Sequence, residues 1–162
     1  MPLFAILIIL RSAIAASCFL PNPMLLGSET IDSDDPQPIS IQAKALWLTD
    51  VLKERKISVD PEATDTQVVL VERGGSISPI LRDEAARALF LDERLRKRDL
   101  EVQARRFTGL PYLQVVSFQV RHEGKWRTPE YYCDICTISV RYPQVCPCCQ
   151  GDMEFRMKPQ SE

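Results

Sequence analysis

The spacing of apolar and polar residues changes several times along this chain, and those changes divide it. Leu3 to Leu10, L-F-A-I-L-I-I-L, is an unbroken apolar run of eight residues, followed by Arg11 and the small-residue stretch Ser12-Ala13-Ile14-Ala15-Ala16-Ser17-Cys18. A mature membrane-spanning helix needs about 20 apolar residues, so this run is too short to be one. Its form is that of a secretory signal peptide cleaved after the alanines, and residues 1–17 are assigned that role. From 18 to 38 the apolar pattern stops. Pro21, Pro23, Pro36 and Pro38 mix with Glu29, Asp32, Asp34 and Asp35, with no base among them. Such a stretch buries too little apolar surface to offset chain entropy and is expected to be an extended linker.

Periodicity then returns. Ser40 to Lys56 predicts a helix: Ile41, Ala45, Leu48 and Leu52 recur at helical spacing, Trp47 and Val51 widen the stripe, and Ser40 is a candidate N-cap. Lys53, Arg55 and Lys56 would favour the negative end of its dipole. Thr66 to Glu72 predicts a buried strand turned by Arg73-Gly74-Gly75. Asp83 to Arg98 fits a helix through Ala85, Ala88, Leu89 and Leu95, or equally a buried strand with a helical turn after it.

Leu100 to Arg106 alternates, with Leu100, Val102 and Ala104 on one face. Tyr112 to Arg121 predicts another strand, with Tyr112, Gln114, Val116, Phe118 and Val120 sharing a side. His122-Glu123-Gly124-Lys125 closes a hairpin into Trp126–Tyr132, where Pro129 argues for an edge or a bulge. The only histidine, His122, therefore reads as a turn residue.

The fold class expected is α+β and mainly β: a small barrel or sheet with one N-terminal helix over 39–125, then a C-terminal zinc ribbon over 126–157 and a tail over 158–162. The order of elements from Thr66 to Arg121 resembles the oligonucleotide/oligosaccharide-binding (OB) class, and so implies a small OB-like barrel with a ligand-binding face. Single-strand-binding barrels interleave bases with stacking aromatics. Here Arg94, Arg96, Lys97, Arg98, Arg105 and Arg106 are interrupted by Asp99 and Glu101, with only Phe107 and Tyr112 near them. A solvated charged face is expected, and the net charge of −2 adds no reason to expect nucleic acid.

Five of the six cysteines lie between Cys133 and Gly151. Cys133-x-x-Cys136 and Cys146-Pro-x-Cys149 supply the four thiolates that a tetrahedral zinc ion needs. The second pair, with Pro147 and Gly151, resembles the CPxCxG knuckle of zinc ribbons; Pro147 is expected to set the turn and Gly151 to take the positive φ. The expected ligands of one structural zinc are Cys133, Cys136, Cys146 and Cys149, with Cys148 as an accessory thiol. A four-cysteine site has no open coordination position, so no hydrolysis is expected of it.

Two alternatives remain open for these cysteines. Disulfides suit an exported chain. Thiol redox or copper chemistry suits the crowding of Cys146, Cys148 and Cys149. Ala15-Ala16-Ser17-Cys18 also resembles a lipobox, which makes Cys18 a candidate for lipidation.

Signal, tether, β-rich domain and terminal knuckles together resemble bacterial exported proteins without assigned activity. The resemblance implies a protein of the periplasm or cell envelope. The expected function is non-catalytic binding of a protein or envelope ligand, with contact to membrane only through the signal peptide or a lipid. A nucleic-acid-binding barrel and ribbon is the alternative if the signal-peptide reading fails.

Overall fold

The computed structural model describes residues 36–158. The signal segment, Cys18, nearly all of the linker and the end of the tail lie outside the described residues. The expectation of a mainly β fold holds. Among the described residues, nine strands form two antiparallel sheets, with two short helices and one 3-10 turn.

The first strand, β1 (Gln37–Trp47), corrects the expected helix, which forms only as α1 (Leu48–Glu54). Ile41 and Ala45 are four residues apart, a spacing that fits a helical turn and also two strand repeats, so it cannot discriminate. Pairing decides. β1 is the centre of the larger sheet, lying between β2 (Val68–Glu72) and β4 (Asp99–Arg106), and Ala43 and Ala45 are buried in it. Ser40 caps nothing; its hydroxyl accepts a hydrogen bond from Gln103 Nε2 across the sheet at 2.9 Å. The strand also takes in Gln37 and Pro38, which had been assigned to the linker.

From β2 the chain turns through Gly74-Gly75, where Gly75 has φ +83°, into β3 (Ile77–Pro79). Of the two readings of Asp83–Arg98, a short helix forms, α2 (Arg87–Leu91), preceded by a turn in which the Asp83 carboxylate accepts the Ala86 N–H at 3.1 Å. Strand β5 (Leu113–His122) pairs along β4. The larger sheet runs β3-β2-β1-β4-β5-β6, with β6 (Lys125–Arg127) at its end. A parallel bridge between Ile80 and Leu113 brings the β3 end to β5 and closes the sheet into a partly open barrel of five strands. Val68, Leu70, Leu89, Leu95, Leu100, Val102 and Val120 fill it, each fully buried.

The expected face of β5 is only half right. Phe118 and Val120 point inward, but so do Leu113 and Val115, while Val116 is exposed. The pairing slips between Gln103 and Ala104, which face Ser117 and Val115, so Val116 is an extra residue. This β-bulge reverses the alternation halfway along the strand.

The expected hairpin at Glu123-Gly124 is present, with both residues at positive φ. The strand after it splits at Thr128. β6 stays with β5, whereas β7 (Pro129–Cys133) enters a three-stranded sheet of order β8-β7-β9, with β8 (Ile138–Val140) and β9 (Glu154–Met157). β7 is thus central, not an edge, and Pro129 is tolerated because it is the first residue of the strand.

Candidate metal centre

The two knuckles sit at one end of the smaller sheet. Cys133 ends β7, the chain turns at Cys136, and β8 begins at Ile138, paired back to Cys133. The second knuckle lies between β8 and β9 and is closed by two backbone bonds, Cys146 N–H to Gly151 O and Gln150 N–H to Cys146 O, both 2.9 Å. In each knuckle the residue after the second cysteine is left-handed: Thr137 at φ +54° and Gln150 at φ +58°. Gly151 was expected to hold that position and does not. The tight turn closes one residue earlier, and Gly151 instead lies against sulfur, where a Cβ would meet Cys149 Sγ at 3.5 Å.

The sulfurs of Cys133, Cys136, Cys146 and Cys149 all lie within 4.8 Å of one another, and Cys133 and Cys149 are 3.5 Å apart. Zinc–sulfur bonds of about 2.3 Å in a tetrahedron set sulfurs roughly 3.8 Å apart, so the cluster needs only small adjustments to surround an ion. Cys133 and Cys146 are buried and Cys149 is exposed, so the site is reached from one side. All five described cysteines are free. Four cysteines are therefore positioned to bind a metal ion.

The thiols are not equivalent. Backbone N–H groups of Cys149 and Cys148 aimed at Cys146 bring its pKa down to about 6. The same knuckle turn that shapes the chain thus prepares one thiolate. Cys136 is pushed up, foremost by its neighbour Cys148, then by Cys149 and burial. Cys133 is drawn down by the Cys136 N–H, but burial and the thiols of Cys149 and Cys146 outweigh that and raise it. Without a cation the cluster resists carrying several negative charges. A metal would remove that resistance and hold all four as thiolates.

Cys148 is exposed and lies beside Cys136. His122 sits in the β5–β6 hairpin, 3.8 Å from Glu123 Oε1, and is not one of the cluster residues. Of the interrupted basic run, Arg94 and Arg96 are occupied by the fold. Arg96 donates to the carbonyls of Leu89 and Phe90 at 3.2 Å and covers the Trp47 ring at 4.7 Å.

Arg94 belongs to a junction that sequence reasoning missed. Asp92, just after α2, is buried and accepts the Tyr131 hydroxyl at 2.5 Å and the Arg94 guanidinium at 2.7–3.0 Å. Arg94 also stacks over Phe155 of β9 at 4.2 Å. Burial raises the Asp92 pKa, but the bonds from Arg94 and Tyr131 win and leave it below the usual carboxylate value. Tyr131 is pushed up by burial and by that carboxylate. An acid among arginines in a polar stretch carries no sequence signal that it will hold a tyrosine 39 residues away.

Comparison with known protein families, with curated proteins and with solved structures gives no match to this chain.

Proposed function

We propose that this chain is a non-catalytic binding protein in which one structural zinc ion, held by Cys133, Cys136, Cys146 and Cys149, maintains a ribbon docked on a small OB-like barrel. The observation that carries this reading is the convergence of four sulfurs within 4.8 Å at the end of a three-stranded sheet. Zinc suits this donor set best among common ions, because it favours tetrahedral thiolate sites and needs no redox partner. With four protein ligands the ion has no position for water, so its role is to hold the fold. The apolar run at Leu3–Leu10 and the alanines before Cys18 support an exported protein of the bacterial envelope, acting on a protein or envelope ligand.

Native mass spectrometry of protein purified without reductant tests the metal. The chain plus one zinc ion supports the reading. A metal-free chain lighter by the hydrogens of two disulfides sinks it. The same spectrum reports whether the chain begins near Cys18 and carries a lipid.

A second reading is favoured by one observation, the exposed Cys148 beside Cys136. It makes the cluster a thiol-redox or copper-handling centre, and it requires activity in a thiol-exchange assay that Cys148→Ser abolishes.

A further inference from the structure

Strand β5 has two flanks. One pairs with β4; the other is paired only near its ends, at Leu113 by Ile80 and at Val120–His122 by β6. Between them, residues 114–119 have no strand partner on that flank among the described residues. The gap exists because the chain leaves β5 at Thr128, where β6 ends and β7 departs into the other sheet. Six unpaired residues of β5 leave an opening roughly 20 Å long.

A cavity of about 270 Å³ opens into this gap, walled by Val116 and Phe118 of β5, Pro129 of β7 and Val140 of β8. The bulge shapes it. Val116 and Ser117 both face outward in succession, and Val116 is 41% exposed. Among the described residues β8 pairs with β7 alone, and its Ser139 and Val140 line the same cavity, which brings a second strand edge to it. An open strand edge carries unpaired N–H and C=O groups suited to an added strand.

The charges at the mouth have a sign. Arg141 and Lys158 line it, and no ion pair or hydrogen bond of their side chains is found among the described residues. Glu130, the acid in the same wall, is occupied by Arg156 at 2.8 Å. Arg105 extends the basic rim into the adjoining hollow, which it shares with Glu84 and with Asp83, whose carboxylate is held by the Ala86 N–H.

We infer that the crevice between barrel and ribbon takes an extended peptide segment of a partner protein. The segment adds as a strand to the β5 edge, sets an apolar side chain against Val116 and Val140, and places a carboxylate at Arg141 and Lys158. The inference rests on the protein-binding reading above. A single nucleic-acid strand fits less well, because the aromatic in the wall, Phe118, is only 8% exposed and offers no face for stacking.

The test is selection from a displayed library of random short peptides against the zinc-loaded full chain. Enriched peptides are expected to place an acid beside a branched apolar residue. A synthetic copy should slow amide exchange in residues 114–119. Val116→Lys and Arg141→Glu should each weaken its binding by about tenfold, with metal content unchanged, while Ile57→Lys, at an exposed position after α1 that does not line the crevice, leaves it unaltered. Peptides indifferent to both crevice substitutions overturn the inference, as does failure to enrich any peptide on a folded, zinc-loaded chain. Competition by a single-stranded oligonucleotide, lost in Arg141→Glu, overturns it in favour of a polyanion groove. Each of these leaves the metal reading standing; a folded chain that binds no zinc is the separate failure of that reading.

Discussion

The barrel and the ribbon solve the same problem with different materials. Inside the barrel, leucines, valines and alanines from β1, β2, β4, β5 and α2 meet with almost no polar atom among them. The ribbon contributes Pro129, Tyr131, Cys133 and Cys146 as its buried apolar side chains, and two of those belong to the cysteine cluster. A three-stranded sheet of such short strands cannot cover its own inner face. It leans instead on the barrel, where Tyr131 joins the common core and Tyr142, Met153, Phe155 and Met157 pack against it. Arg87 over the Tyr142 ring at 4.7 Å and Arg94 over Phe155 bind the two from the α2 side. A module with little core of its own leans on a neighbour, and its four clustered cysteines are placed to add a metal ion to that support.

Removing the metal should separate the two regions most sharply. Structural zinc contributes ~10–16 kcal/mol of binding free energy in small fingers. Chelation, or Cys146→Ser, should therefore abolish amide protection in β7–β9 while β1, β2 and β4 stay protected. Equal loss across both sheets would mean that the barrel depends on the ribbon as much as the reverse.

Next in size is a substitution on the barrel side. Leu70→Ala, at a fully buried position, should cost about 2–5 kcal/mol in chemical denaturation and leave zinc stoichiometry intact. A loss of zinc in the still-folded variant would show that the knuckles are shaped by the barrel.

The junction comes third. Tyr131→Phe removes one donor from a buried carboxylate and should cost roughly 1–3 kcal/mol. It also bears on pH. Asp92 is held below its ordinary pKa, so its contribution is present above the unfolded-state value near 3.9 and fades as pH falls through the folded value. An acid titration of stability in which Asp92→Asn has the same low-pH limb as the parent would remove Asp92 from the junction's energetics.

The smallest effects distinguish the knuckle's two candidate turn residues. Gly151→Ala places a methyl in ordinary contact with Cys149 sulfur and should leave stability and zinc affinity nearly unchanged. Gln150→Gly relieves the left-handed position and should be neutral or stabilising by up to about 1 kcal/mol. The reverse ranking in thermal melts would restore Gly151 as the critical residue.

The metal cluster was legible because its information is local. Two CxxC pairs with nine residues between them fold each knuckle from neighbours in the chain. The hairpin at Glu123-Gly124 and the strands at Val68–Glu72 and Asp99–Arg106 were legible for the same reason: turn chemistry and alternation act over a few residues. The identity of Gln37–Trp47 was not local. Ile41 and Ala45 satisfy either period, and only pairing with β2 and β4 on both sides made them strand. The inward face of β5 depended on a bulge set by its register with β4, which no alternation within β5 contains. The same holds for the bond from Tyr131 to Asp92, for the split at Thr128 and for the crevice it opens. Sequence by itself determined the chemistry of the knuckles and most of the strands, because short-range sterics and ligand geometry act between near neighbours. Tertiary structure alone decided which strand became central, which face of β5 looked inward and where the crevice beside β5 opens, because those depend on contacts between residues far apart in the chain.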